Sequence, residues 1–251
     1  DLEYMLQTLN EQELYLMYQT GQAADAYDAQ PSPREAFRKL AEYFRYGQTR
    51  PVEELDALIA RHAAKDSNDP WITYYQAVSA HKQERWEEAD RLLAATYRTA
   101  AQYDNDTTEA PDYLQDKARS LWIEARLKAG RMLEAYRDIP PPEQTFADLA
   151  NELEDADDWS LLEKLVRAHG LRGTNDPHWL YWQVRLLMRQ QQHQAAAEML
   201  SPWPQNAAQL PSWRHNHLRE IQIEVLLKAG SDDEAQQAAK ELRATPGDLL
   251  P

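Results

Sequence analysis

Residues 68–93, NDPWITYYQAVSAHKQERWEEADRLL, return 107 residues later as residues 175–200, NDPHWLYWQVRLLMRQQQHQAAAEML. A duplication of this length constrains the fold more than any single motif, because each copy must find the same packing environment in its own surroundings. Those surroundings repeat too. Leu2, Met5, Leu6, Leu9, Leu16 and Met17 predict an apolar helical stripe over residues 2–20. Gly21 breaks it, and a short helix from Gln22 to about Ala29 stops at Pro31 and Pro33, where the missing amide donor and the restricted preceding residue oppose continuation. The outline recurs 109 residues on, with Gly130, Glu134, Ala135, Tyr136, Pro140 and Pro142 matching Gly21, Asp25, Ala26, Tyr27, Pro31 and Pro33. It recurs once more around Ile223, Lys228, Gly230 and Ala235, 100 residues after Ile123, Lys128, Gly130 and Ala135.

A second hairpin type follows each of the first two proline-ended ones. Phe37, Leu40, Ala41 and Phe44 mark the inner side of a helix over 34–46, and Leu55, Leu58 and Ile59 that of a helix over 52–64. The counterparts are Phe146, Leu149, Ala150 and Leu153, then Leu162, Leu165 and Val166, and the closing His62 and His169 lie 107 apart. Asp69-Pro70 and Asp176-Pro177 then start the third type. The expected hairpins span about 1–30, 33–65, 69–100, 113–139, 143–170, 176–203 and 212–244, the first three forming a unit of about 107 residues that is duplicated. The stretch 103–111, YDNDTTEAP, is longer than its counterpart around Pro202 to Pro211, and length changes of this kind belong in loops.

Seven Gly and abundant Ala, Leu, Glu and Gln suit helices throughout. The mean hydropathy of −0.79 is low, yet 8 Trp and 13 Tyr have to be buried, which excludes a disordered chain. A net charge of −15 repels a phosphate backbone, so nucleic acid is not an expected partner. No apolar run reaches the roughly 18–20 residues of a membrane-spanning helix, so membrane insertion is not expected either. The first residues do not read as a signal peptide, and a start at Asp1 without Met is what a trimmed or processed piece would show. Without Cys there is no disulfide, thiol nucleophile or thiolate metal site, and the compartment stays open.

Residues 69–101 carry an aromatic-rich first helix with Ala77 at the helix contact, then Trp86-Glu87-Glu88-Ala89 and Leu93; Gly130 with Ala135 and Gly230 with Ala235 supply a turn glycine and a small packing residue. In these features the chain resembles the tetratricopeptide repeat family, well in four hairpins and loosely in three. Ile123, Val184 and Ile223 stand where that family uses a small residue. The resemblance implies an all-α fold, a right-handed α-solenoid of about seven antiparallel helical hairpins with a concave and a convex side. It also implies which residues line the concave face: Trp71, Tyr74, Val78, His81 and Lys82 from one repeat, and Tyr181, Arg185, Met188 and Arg189 from its copy. Lys128 and Lys228 hold the equivalent last-turn position in two proline-ended hairpins.

A cation thus recurs at Lys82, Lys128, Arg189 and Lys228. One reading is a basic ladder that meets an acidic peptide or a C-terminal carboxylate; the other is that the helix macrodipole favours a cation in the last turn by about 0.3–1 kcal/mol. Chain-wide motifs for catalysis are missing: no Gly-rich phosphate loop, no G-x-S-x-G and no H-E-x-x-H. His215, His217 and Glu220 fall short of a metal site because only His217 and Glu220 share a helix face. Asp104, Asn105, Asp106, Thr108 and Asp112 lack the Gly and final Glu of a calcium loop, and the acidic run from Glu152 to Asp158 reads as an exposed turn. His62 and His169 read as helix-closing residues, and Trp182 with its counterpart Tyr75 as packing.

The expectation is a non-catalytic scaffold without cofactor that holds a protein or peptide. The alternatives are a structural helical module of a larger enzyme or regulator, or a self-assembling segment that forms homo-oligomers. The hairpin series begins and ends on the proline-ended type, about two and one-third copies of the unit, and Leu249-Leu250 is not a polar cap, so a longer parent array is expected.

Overall fold

Proline and aspartate set where the helices start. Asp176 Oδ1 accepts the His178 amide at 2.8 Å and α11 (Pro177–Arg189) begins, while Asp69 Oδ1 accepts the Trp71 amide at 3.0 Å at the head of α5 (Trp71–Lys82). In the computed structural model the described residues are 2–47, 50–101, 111–173, 175–201 and 203–244, with side chains from residue 11 onward, in the seventh helix from 113, and up to 243. All regular structure among them is helical. Two compact units divide the chain, unit 1 over Asp1–Arg131 and unit 2 over Met132–Pro251.

Unit 1 contains α1 (Leu2–Gln19), α2 (Ala23–Ala29), α3 (Pro33–Tyr46), α4 (Val52–Lys65), α5, α6 (Trp86–Ala100) and α7 (Pro111–Lys128). Unit 2 contains α8 (Met132–Asp138), α9 (Pro142–Asp155), α10 (Trp159–Gly170), α11, α12 (His193–Leu200), a short 3₁₀ helix Gln205–Gln209, α13 (Ser212–Lys228) and α14 (Asp232–Ala244). Each helix packs on the next within its unit. Helices two apart also touch, α1 on α3, α2 on α4, α3 on α5 and α5 on α7 in unit 1, α8 on α10 and α9 on α11 in unit 2.

The inner faces read from the sequence are the buried ones. Phe37, Leu40 and Ala41 of α3 and Phe146, Leu149 and Ala150 of α9 are fully buried, as are Leu55 and Leu58 of α4 and Leu162, Leu165 and Val166 of α10. Each such Leu or Phe contributes about 1.5–3 kcal/mol by leaving water. In α1 the stripe is rotated from the expected one. Leu14 and Tyr18, four residues apart, face α3, where the Tyr18 ring meets Phe44 edge-on at 4.9 Å, and Leu16 is 64% exposed. The side chains of Leu2, Met5, Leu6 and Leu9, the stretch from Asp104 to Thr108, Pro202, Pro246 and Leu249-Leu250 lie outside the described residues, and so does the side chain of Asp112.

His62 and His169 do more than close helices. Tyr27 Oη lies 2.9 Å from His62 Nδ1, and His62 Nε2 lies 3.0 Å from Asp69 Oδ2. In unit 2 Tyr136 Oη lies 2.8 Å from His169 Nδ1, and His169 Nε2 lies 2.7 Å from Asp176 Oδ2. Phe37 and Phe146 stack on the two imidazoles at 4.0 Å in both cases. With Nε2–H donating to the carboxylate and Nδ1 accepting from the phenol, both ring nitrogens of each histidine are satisfied. One relay therefore pins α2, α4 and the start of α5, and its copy pins α8, α10 and the start of α11. Burial raises the affinity of the Tyr27 and Tyr136 phenols for their protons, with Lys65 and Arg172 respectively opposing.

Six turns share one backbone solution. Gly21, Glu84, Gly130, Asp157, Gln191 and Gly230 have positive φ, and the residue after each returns its amide to a carbonyl five residues back, as in Arg85 to Ala80 and Gln192 to Leu187. This is the left-handed helix cap that glycine adopts freely. Only half of these positions are glycine, and those three are the turns that glycine punctuation marks in the sequence.

Candidate functional site

Four of the eleven residues expected on the binding face come together in unit 1. Val78, His81, Lys82 and Lys128 line a cleft of about 510 Å³ with Arg45, Tyr46, Glu84, Trp86, Leu121 and Glu124. The last turns of α3, α5 and α7 converge here, and each carries a cation: Arg45, Lys82 and Lys128. The macrodipole accounts for a cation at each end; the convergence of the three ends is what gathers them.

None of the three cations pairs with a carboxylate among the described residues. Arg45 Nη1 donates to the Tyr74 hydroxyl, and its guanidinium lies 5.0 Å from the centroid of the Tyr46 ring, which is 66% exposed at the rim. Lys82 Nζ donates at 3.1 Å to the carbonyl of Gly47, the residue that caps α3. A Cβ at Gly47 would collide with the Tyr18 hydroxyl and the Tyr43 carbonyl, so the backbone passes close by at that point. Lys128 is exposed and unpaired among the described residues. In a chain with 42 acidic and 27 basic residues, three cations with no acid partner in one place are a departure from the average.

His81 forms the wall between them. Its Nε2 is buried without a hydrogen-bond partner, 3.6 Å from Glu124 Oε1, and its ring meets Trp86 edge-on at 5.2 Å. Burial lowers its proton affinity; Glu124 works against this, and Lys82, Lys128 and Arg45 add to it. Burial also lowers the proton affinity of Lys82, with Glu124 opposing.

The copy in unit 2 is wired differently. Arg185 occupies the place of Val78 and Glu154 that of Arg45, and Arg185 Nη1 donates to Glu154 Oε1. Arg189 stacks over Trp159 at 4.6 Å with Asp157 at 3.9 Å, and Lys228 pairs with Glu224 at 2.6 Å. The expected ladder is thus free in unit 1 and neutralised in unit 2. Met188 is half-buried.

The expected aromatic anchors are spent on packing. Trp71 is 8% exposed and Tyr74 and Tyr181 are fully buried; Trp71 meets Tyr74 edge-on at 5.6 Å, and Tyr181 Oη lies 3.0 Å from His217 Nδ1. His215 lies against Trp203, and no group of three or more His, Asp or Glu among the described residues could hold a metal. The acidic run has local tasks. Asp158 Oδ1 accepts the Leu161 amide at 3.0 Å at the head of α10, and Asp157 Oδ1 accepts the Trp159 indole at 2.6 Å. Clefts of about 580 Å³ beside His169 and about 380 Å³ beside Leu171 contain none of the expected residues.

Arg45, Tyr46, Glu84, Leu121 and Glu124 are cleft residues that the sequence does not mark, and Trp86, expected as the opening of a repeat's second helix, lines the cleft as well. Continuing the hairpin match by one residue beyond Phe44 and Leu153 pairs Arg45 with Glu154, a charge reversal between copies that marks where the two units differ. No family model, curated protein or solved structure matches the chain. Fold and cleft define an all-helical protein with a basic recess in unit 1, and no described helix is long and apolar enough to cross a membrane.

Proposed function

We propose that the chain is a non-catalytic interaction scaffold, a tetratricopeptide-like right-handed α-solenoid of about seven antiparallel hairpins, that holds an acidic peptide segment in the unit 1 cleft. The duplicated relay, the contacts between helices two apart, such as α2 on α4 and α8 on α10, and the repeated left-handed turn support the repeat architecture. The observation that carries the function is the group Arg45, Lys82 and Lys128, gathered in one cleft and left without carboxylate partners among the described residues. Charge-assisted hydrogen bonds from such donors to carboxylates are short and about twice as strong as neutral ones. Tyr46 and Trp86 offer ring surface on either side for apolar flanks of the peptide.

Fluorescence anisotropy with a fluorescein-labelled peptide of six consecutive glutamates tests this, with a six-glutamine peptide as control. The full chain binds the glutamate peptide, and Lys82→Glu with Lys128→Glu weakens it at least about tenfold with unchanged helical circular dichroism. Equal affinity for both peptides, or an unaffected double variant, refutes the reading.

A second reading applies to unit 2, where the counterpart cations meet Glu154, Asp157 and Glu224. That pairing supports a structural module there, one that stabilises its own helices and leaves no free cation ladder for a ligand.

A further inference from the structure

Resting on the reading that the cleft holds an acidic peptide, we propose that binding there is coupled to the uptake of one proton by His81, whose Nε2–H then donates to the bound carboxylate. The unpartnered nitrogen supplies the hydrogen bond, and the charges around the ring supply the reason for the added proton. His81 Nε2 is buried, has no hydrogen-bond partner, and belongs to a side chain that lines the cleft. A buried polar atom without a partner costs free energy, and a ligand oxygen is the partner that removes the cost once the nitrogen carries a proton.

The charged groups facing the imidazole come from every element around it. Lys82 lies beside it on α5, Arg45 on α3, Glu84 in the turn to α6, and Glu124 and Lys128 on α7. Burial first of all disfavours an imidazolium; Glu124, at 3.6 Å and half-exposed, favours it, and the three cations oppose it further. A bound carboxylate screens the cations and adds a negative charge beside the imidazole, which favours the imidazolium. The unit 2 copy has Met188 in place of His81 and cannot respond in this way.

The sign follows from linkage. If the complex holds the proton that the free protein lacks, affinity rises as pH falls through the range where imidazole titrates, by at most tenfold per pH unit for one proton. Titrating the same six-glutamate peptide at several pH values between 5.5 and 7.5 is the test. Wild type binds at least about fivefold more tightly at pH 5.5 than at pH 7.5, and His81→Gln, which keeps a side-chain donor, holds a constant affinity within about twofold. The variant also cancels any contribution from titration of the peptide itself. As a second readout, the imidazole resonance of His81, assigned by its loss in His81→Gln, titrates at higher pH with saturating peptide than without.

A pH-independent affinity, or a wild-type slope retained by His81→Gln, overturns the proton coupling and leaves the acidic-peptide reading standing. Absence of binding at every pH overturns both.

Discussion

Replacing His62 with Phe keeps an aromatic ring against Phe37 and removes only its two ring nitrogens. Tyr27 Oη, 2.9 Å from Nδ1, and Asp69 Oδ2, 3.0 Å from Nε2, are both left buried without that partner, while Asp69 Oδ1 keeps the Trp71 amide. An orphaned neutral hydroxyl costs about 1 kcal/mol and an orphaned carboxylate oxygen about 2 or more, so His62→Phe costs about 3 kcal/mol. Tyr27→Phe alone costs about 1–2 kcal/mol, because it removes one neutral hydrogen bond and leaves Nδ1 unfilled. In the double variant the phenol is already gone, so the second loss is close to zero and the two effects fall short of their sum by about 1–2 kcal/mol. Native-state amide hydrogen exchange read by mass spectrometry is the assay, since a chain of two compact units need not unfold in a single step. Protection falls in α2, α4 and the first turn of α5. Additive effects, or a cost for His62→Phe below about 0.5 kcal/mol, would refute the relay as a fastening of unit 1. Tyr136→Phe and His169→Phe repeat the pattern in unit 2.

Two further outcomes are expected. Gln191, at φ 59, carries a side chain in the left-handed region, whereas Gly130, at φ 70, has open space where a Cβ would go; Gln191→Gly raises stability by about 0.5–1 kcal/mol and Gly130→Gln lowers it by about 1 kcal/mol, both read by native-state hydrogen exchange in the helices that flank each turn. Glu154→Arg places two guanidinium groups together and destabilises unit 2 by about 1–2 kcal/mol, an effect that Arg185→Glu reverses in the double variant, as measured by hydrogen exchange over residues 142–189.

The all-helical class and the inward helix faces were legible because helical periodicity and glycine or proline punctuation are local signals. Phe37, Leu40, Leu55 and Leu58 sit inward as their spacing requires, and their copies do the same. Less was legible wherever a side chain's task depends on what lies across the helix pair. Trp71, Tyr74 and Tyr181 occupy first-helix positions, yet bulky rings at those positions sink between helices and gain more by burial than by facing solvent. The two histidines repeat in sequence, but nothing local announces that each is bracketed by a tyrosine 33–35 residues before it and an aspartate 7 residues after it. Of the four ladder cations, Lys82 and Lys128 share a cleft, while Arg189 and Lys228 meet acids of their own unit. Periodicity places a residue on a face; it does not reveal which charges the neighbouring helix presents.

The central claim is that the unit 1 cleft is where the chain meets an acidic segment. Backbone chemical-shift mapping with the six-glutamate peptide tests it most directly, because it reports location as well as binding. The account predicts perturbations over residues 45–47, 78–86 and 121–128 that saturate with peptide and vanish in the Lys82→Glu, Lys128→Glu variant. Shifts confined to residues 132–244, or the same shifts with the six-glutamine peptide, would contradict it.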